Sequence, residues 1–175
     1  MTIDEITKQH KFCFICAGQL EQKENNLLVC TNCNYHKFIN PTPCNGAILT
    51  NENGEILLIE RKFEPMKGYW DLTGGFVDPE ETLEESMIRE LKEETELEVK
   101  GLKYFCSEHD TYLYDGITIP TVCAIFTGTI NNEQEIKVHD DVAGYKFFKL
   151  DEIPFDKLAF KSIEDALRKF ITNSR

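Results

Sequence analysis

The sequence contains no long hydrophobic segment and few basic residues. No apolar run approaches the ~20 residues that a membrane-spanning helix needs. The first eleven residues are polar and lack the apolar core of a secretory signal. We therefore expect a cytoplasmic protein without a membrane partner. Lysine and arginine number 19 against 31 acidic residues, and the net charge of −12 disfavours nucleic-acid binding through general electrostatics.

A phosphate-bearing substrate is still compatible with this charge, because a divalent cation can reverse the local potential. Hydrophobic residues make up 41% of the 175 residues, which is enough for a buried core. The length allows one ordinary domain, or one domain with a small appended module. No internal repeat or low-complexity tract is present.

Seven cysteines are present, and four of them form two C-x-x-C pairs. Cys13 and Cys16 are separated by thirteen residues from Cys30 and Cys33. Without a secretory signal, this spacing favours a tetrahedral zinc site, with a redox pair or unligated thiols as the alternative. Four cysteines leave no open position on the ion, so the site would be structural. The other cysteines are expected to be small buried hydrophobes, namely Cys44, Cys106 and Cys123.

The chain is predicted to divide near residue 40. Residues 12–38 are too few to hold a core without additional stabilisation, which zinc would supply. Residues 40–43 contain two prolines, which cannot continue a helix or a central strand. We therefore predict a zinc ribbon over residues 1–40 and a second domain over residues 41–175.

The second domain alternates strand and helix patterns, which indicates an α/β sandwich. Residues 46–50 and 56–59 are predicted to form a hairpin around residues 51–54. Further predicted strands are 27–29 in the ribbon and 69–72, 102–105, 119–130 and 145–150 in the second domain. A last helix is predicted from about residue 161 to 171.

One further helix is predicted from the residues expected at its N-terminus and from its apolar stripe. Asp78 is the expected N-cap, with Pro79 at the first helical position and Glu81 completing a capping box. The buried stripe of this helix is predicted to comprise Leu83, Met87, Ile88 and Leu91.

This helix also concentrates negative charge. Residues 78–98 contain ten acids and two bases, and they carry a net charge of −8. Glu90, Glu93 and Glu94 are spaced i, i+3, i+4, which places like charges on one helix face. A hard divalent cation between the carboxylates would explain this spacing. A solvated acidic face is the alternative for such a pattern in isolation.

Residues 75–97 resemble the Nudix box, a pattern written G-x5-E-x7-R-E-apolar-x-E-E-x-G-apolar. The matching positions are Gly75, Glu81, Arg89, Glu90, Leu91, Glu93, Glu94 and Leu97. Residues 69–77 and 147–154 are also similar to segments of that family. The four-cysteine ribbon resembles the zinc-ribbon branch, which includes NADH pyrophosphatase-like and ADP-ribose pyrophosphatase-like enzymes.

The resemblance implies a Nudix α/β/α sandwich with a mixed sheet, preceded by the small zinc ribbon. It implies a pyrophosphohydrolase that uses Mg²⁺ or Mn²⁺ to cleave a nucleoside diphosphate linked to another moiety. Glu90, Glu93 and Glu94 would hold the metal, and Glu81 would support the site. Arg89 would orient a glutamate, with a simple surface pair to Glu93 as its alternative. A homodimer is also expected from the family.

Several residues are candidates for contacts to the small nucleotide substrate. Gly74 and Gly75 would let the backbone approach a phosphate or direct the loop at the metal, with an ordinary turn as the alternative. Arg61 and Lys62 precede this loop and could contact phosphate, with exposed basic side chains that contact nothing as the alternative. Aromatic residues could stack on a base, with ordinary packing as the alternative. The candidates selected for substrate binding are Arg61, Trp70, Gly74, Gly75 and Tyr114.

Three positions depart from the family pattern. Glu96 replaces the last glycine of the box, Thr73 replaces a proline, and Glu80 replaces a glycine before the first box glutamate. A left-handed residue at Glu96 would cost of order 1 kcal/mol, so we predict that the helix ends differently there.

The substrate class is narrowed but not fixed by the sequence. Residues 98–125 lack the aromatic-proline array of NADH pyrophosphatases, which argues against NADH specificity. ADP-ribose or a dinucleotide is the leading expectation. The alternatives are a catalytically weak nucleotide sensor or regulator with a ribbon for partner binding, and an NTP or oxidised-nucleotide pyrophosphohydrolase.

Overall fold

The computed structural model describes residues 2–139 and 141–173, which form two compact units. The first unit comprises the N-terminal residues through Thr42 together with Thr111–Thr121. The second comprises Pro43–Asp110 and the chain from Val122 onward. The domain limits 1–40 and 41–175 stay predictions. Among the described residues, no helix combines the length and apolarity needed to cross a bilayer.

The first unit is a small ribbon with little core of its own. Its elements are α1 (Ile3–Thr7), β1 (Leu20–Glu24), β2 (Leu27–Cys30) and β3 (His36–Phe38), and the strands pair antiparallel in that order. Three residues form its buried apolar cluster, namely Ile6, Leu28 and Ile39. So few buried side chains do not offset the entropy of ordering the chain, which agrees with the need for a metal.

A six-stranded sheet organises most of the chain. Its strands are β4 (Thr42–Thr50), β5 (Ile56–Arg61), β6 (Trp70–Asp71), β7 (Lys100–Tyr114), β8 (Ile117–Thr129) and β9 (Val142–Phe148). The order is β6-β5-β4-β8-β7, and β9 pairs with β5. All the strands predicted from sequence are present. However, β7 extends far beyond the predicted residues 102–105, because this terminal strand of the order carries many polar residues that resemble a loop.

Helices cover both faces of this sheet, and successive side chains of its strands are buried on alternate faces. They are α2 (Leu83–Thr95) and α3 (Lys161–Asn173), and a short 3₁₀ helix (Phe155–Lys157) precedes α3. Ile48 and Ile125 point to the core that contains Leu167 of α3. Leu49 and Phe126 point to the opposite core, which contains Met87 of α2. The result is a helix–sheet–helix sandwich, as predicted.

The predicted start of α2 was wrong. Thr82 is the N-cap, and its hydroxyl accepts from the N–H of Glu85, whose carboxylate accepts from the N–H of Thr82. This is a complete capping box four residues after the expected one. Asp78 and Glu81 instead close a turn before the helix. Ile88 was also misassigned, since it is 59% exposed, whereas Met87 and Leu91 are buried.

Two glutamates adopt the backbone conformation that glycine usually supplies. Glu80 has φ of 73°, and Glu96, the C-cap of α2, has φ of 55°. The prediction that α2 would avoid a left-handed residue at Glu96 was therefore wrong. Lys137 and His139 lie 3.0 and 2.9 Å from the Glu96 carboxylate oxygens. The backbone cost of the left-handed residue is of order 1 kcal/mol.

The cysteines outside the pairs lie as expected in part. Cys123 is buried in the core beside α3, and Cys44 and Cys106 are half-buried against the same core. Small, weakly polar thiols suit such positions.

Candidate functional site

Arg89 on α2 connects three carboxylates of the box. Its Nε and Nη2 donate to the two oxygens of Glu81 at 2.8 and 3.0 Å, a bidentate pair. Nη1 donates to Glu90 Oε1 at 2.8 Å and to Glu93 Oε2 at 3.0 Å. Nη2 also donates to the carbonyl of Phe76 at 3.2 Å. Because charge-assisted bidentate bonds are strong and directional, Arg89 fixes these carboxylates against the loop before the helix.

The box carboxylates differ in burial, and the more buried ones have raised pKa values. Glu94 is only 7% exposed, and burial raises its pKa to about 9, although the N–H of Gly74 donates to its Oε2 at 3.0 Å. Burial also raises the pKa of Glu90, and the hydrogen bond from Arg89 opposes that rise. A hydrogen bond from Arg89 lowers the pKa of Glu81. A cation beside Glu90 and Glu94 would favour their ionised forms.

The two glycines before the box make room for this arrangement. A Cβ on Gly75 would lie 2.5 Å from Glu90 Oε1, and a Cβ on Gly74 would lie 2.3 Å from the carbonyl oxygen of Asn45. Gly75 also donates its N–H to Asn45 Oδ1 at 3.3 Å. Glycine is required here because any side chain would displace a carboxylate or a neighbouring backbone.

Substituting Gly75 by alanine should therefore damage the site without unfolding the chain. The added Cβ must displace the Glu90 carboxylate, whose Oε1 accepts from Arg89. A displaced carboxylate in the site should lower turnover at least about 10-fold. Steady-state hydrolysis and a thermal melt check this expectation. Gly46→Ala is the matched control, since its Cβ would make an ordinary 3.5 Å contact with Leu72. Equal activity in both variants would contradict the steric argument.

Glu90, Glu93 and Glu94 line one cavity of about 590 Å³. This volume is in the range of small-molecule sites. The remaining lining residues are Lys62, Phe63 and Asp141. Within the described ranges, only the four cysteines bring three or more potential metal ligands within 4.8 Å of one another. The box carboxylates therefore share a cavity but do not meet at one point. Arg89 Nη1 holds Glu90 and Glu93, whereas the N–H of Gly74 holds Glu94.

Sequence reasoning did not select Phe63 or Asp141. Asp141 is brought to the cavity by a long-range pairing, in which the N–H of Lys62 donates to its carbonyl oxygen at 2.8 Å. No local sequence pattern predicts such a contact. The only sequence feature that points to Phe63 is its position directly after the basic residues Arg61 and Lys62.

Arg61 is not among the described residues that line the cavity. Its Nη1 donates to Asp71 Oδ2 at 3.0 Å, and its Nε donates to the carbonyl of Pro65 at 2.8 Å. Its guanidinium also lies 5.1 Å from the ring centre of Phe160. Burial raises the pKa of Asp71 to about 6, even though Arg61 opposes the rise. These contacts fix the loop after β5. A contact between Arg61 and substrate stays a prediction.

The two aromatic candidates also lie elsewhere. Trp70 is half-buried, and its ring packs edge-on against Phe148 with centroids 5.1 Å apart. Tyr114 is 64% exposed and belongs to the first compact unit. Their binding roles stay predictions.

The four paired cysteines form the second candidate site. Their sulfur atoms all lie within 4.8 Å of one another, with Sγ atoms 3.8 Å apart in Cys13 and Cys33 and 3.5 Å apart in Cys16 and Cys30. Tetrahedral zinc with ligands at about 2.3 Å would separate sulfurs by about 3.8 Å. A hydrogen bond from the N–H of Gly18 lowers the pKa of Cys16 to about 6. The donor set therefore fits zinc.

The two halves of this cluster have the same local geometry. Ala17 donates its N–H to the carbonyl of Cys13, and Asn34 donates to the carbonyl of Cys30, at 2.8 and 3.1 Å. Both donors are left-handed, with φ of 57° and 56°. Each turn thus aims two sulfurs inward, and the pairs act as two halves of one site.

Comparison with known proteins agrees with the box. The profile described as the NUDIX domain matches residues 41–171. The NAD-capped RNA hydrolase NudC of Haemophilus influenzae is 37% identical over 110 residues, which are 61% of this chain and 41% of that protein. The chain thus spans about two fifths of the length of that relative.

Two further proteins match this chain over a larger share of their own length. The ADP-ribose pyrophosphatase of Methanocaldococcus jannaschii is 38% identical over 141 residues, covering 77% of this chain and 78% of that protein. The crystal structure of a NUDIX hydrolase from Nitrosomonas europaea superposes with a TM-score of 0.68 at 25% identity, covering 93% and 91% of the two chains. The predicted family resemblance, α/β fold class and mixed-sheet sandwich are confirmed.

Proposed function

Since the chain belongs to the Nudix family, we propose that it is a pyrophosphohydrolase cleaving a nucleoside diphosphate linked to another moiety. The observation that carries this proposal is the set of box carboxylates ordered by Arg89 around one cavity. A protein that only sensed a nucleotide would not need every box carboxylate. The ADP-ribose pyrophosphatase relative, matched over 78% of its length, makes ADP-ribose the first substrate to test.

A divalent cation, Mg²⁺ or Mn²⁺, is part of the proposal. Glu90, Glu93 and Glu94 would hold it, and it would neutralise the diphosphate and lower the pKa of an attacking water. Arg89 would keep Glu90 and Glu93 in place during turnover, and the N–H of Gly74 would keep Glu94 in place. Such preorganised groups need no rearrangement at the moment of reaction. Zinc at the four cysteines would be structural.

A hydrolysis panel tests the proposal. ADP-ribose, NADH, NAD, FAD, diadenosine polyphosphates, ADP-glucose, dNTPs and 8-oxo-dGTP are offered with Mg²⁺, and the phosphate products are separated. We expect ADP-ribose or a dinucleotide to be turned over well above the others. EDTA and Glu93→Gln should both abolish this activity. Absence of turnover, with clear stabilisation by one nucleotide, would contradict the enzyme and favour the sensor.

A further inference from the structure

The cavity beside the box is lined by two chemically different kinds of residue. Four of them are carboxylates, from Glu90, Glu93, Glu94 and Asp141. The remaining lining residues are Lys62 and Phe63, which follow β5 directly. A nucleoside diphosphate likewise has two parts, an anionic diphosphate and a planar base. The carboxylates suit a cation-bound diphosphate, but they offer nothing to a base.

Phe63 is the aromatic residue of this cavity. Its side chain is 53% exposed, so it gains only part of the free energy that burying an aromatic ring provides. A single exposed aromatic is ordinary on a protein surface, and its exposure alone indicates nothing. Its position is the second observation, because the same cavity is lined by all three presumed metal carboxylates.

Lys62 adds a cation to the aromatic ring. Its Nζ lies 5.2 Å from the ring centre of Phe63, within the range of a cation–π contact. Lys62 lines the same cavity as the box carboxylates. A phosphate group in this cavity would be attracted by the ammonium as well as by a carboxylate-bound cation.

The backbone of this pair is fixed. The N–H of Lys62 donates to the Asp141 carbonyl at 2.8 Å, and the Arg61 guanidinium donates to the Pro65 carbonyl at 2.8 Å. Arg61 is itself paired with Asp71. The backbone on both sides of Phe63 is therefore ordered in the fold, so that part of the ordering cost is not incurred at binding.

We propose that Lys62 and Phe63 form the binding subsite for the nucleoside half of the substrate. The ring of Phe63 stacks on the base, and Lys62 contacts the diphosphate. This inference rests on the proposed function. The subsite would make the protein prefer nucleotides over diphosphates that carry no base. Arg61 acts in it as a positioning residue, holding the loop that carries Phe63.

Kinetics and binding test this subsite together. Stacking of a base on an aromatic ring is worth about 1–3 kcal/mol, so Phe63→Ala should raise the KM for ADP-ribose about 10-fold and leave kcat within about threefold. Phe63→Trp should restore the KM, whereas Phe63→Leu should not. Tyr104→Ala is the control, since Tyr104 is a 57% exposed aromatic that does not line the cavity.

Titration calorimetry in Mg²⁺ with two probes separates the roles of the residues. Phe63→Ala should weaken ADP about 10-fold and leave inorganic pyrophosphate unchanged, because only ADP carries a base. Lys62→Ala should weaken both ligands, and Lys62→Arg should restore them. Equal weakening of ADP and pyrophosphate by Phe63→Ala, or no weakening of either, would overturn the stacking role.

The two proposals fail in different ways. If the wild-type protein turns over no nucleotide but binds ADP through Phe63, the proposed function fails and the subsite stands. If it turns over nucleotides and Phe63→Ala has the KM of the wild type, the subsite alone is wrong.

Discussion

Replacing Glu94 by glutamine is expected to lower turnover about 10³-fold, from loss of charge stabilisation at the cation. The same substitution should stabilise the metal-free protein in alkaline buffer. Glutamine keeps the shape of the side chain, and its carbonyl can still accept from the N–H of Gly74. The activity loss and the stability gain have one origin, since a 7% exposed carboxylate is costly unless a cation compensates its charge.

The direction of the pH effect follows from the raised pKa of Glu94. Its pKa is about 9 in the folded chain, above its ordinary value of 4.5. The stability that its protonated form contributes is complete below about pH 4.5 and is lost as pH rises toward 9. The metal-free wild type should therefore melt at a lower temperature at pH 8 than Glu94→Gln, and the two should converge near pH 4.

The matched control is Glu84→Gln, which removes the same charge from an exposed position on α2 outside the cavity. Its activity and its melting curve should follow those of the wild type. Added Mg²⁺ should raise the melting temperature of the wild type and of Glu84→Gln more than that of Glu94→Gln. Near-normal turnover in Glu94→Gln would remove this carboxylate from the proposed site.

The carboxylate cluster of the proposed site was predictable because its signal is local. Glu90, Glu93 and Glu94 lie within five residues on one helix, and helix geometry alone puts them near one another. The partners of Arg89 were only partly predictable. The contact with Glu93 follows from i,i+4 spacing, whereas the bidentate contact with Glu81 depends on the turn that precedes α2.

The errors have identifiable physical causes. Asp78 and Thr82 each precede a glutamate by three residues, so the sequence offers two successive capping boxes, and α2 uses the second. The left-handed Glu96 is held by Lys137 and His139, more than forty residues away. Sequence spacing cannot report such contacts.

Two lining residues of the cavity were missed for the same reason. Phe63 and Asp141 reach the box through the pairing of β5 with β9 and the loop before β9, not through a motif. Arg61 was selected for its charge, and in the fold its guanidinium pairs with the buried carboxylate of Asp71.

Removal of zinc is expected to unfold the ribbon without abolishing the chemistry of the second unit. Apparent zinc-binding energies of about 10–16 kcal/mol are found for small four-ligand sites, far more than three buried apolar residues provide. Cys30 is fully buried among the four sulfurs, so Cys30→Ser should lose zinc on metal analysis. Amide exchange over residues 12–38 should accelerate by orders of magnitude, while hydrolysis measured in restored Mg²⁺ persists.

The control for this change is Cys106→Ser, a half-buried lone thiol of the second unit. It should retain zinc and the protection of the ribbon. The redox alternative has the opposite signature, in which a thiol reductant unfolds the ribbon and a chelator does not. Full amide protection of residues 27–38 after chelation would exclude a structural metal. The cluster would then need another explanation for four sulfurs at tetrahedral spacing in a unit with almost no core.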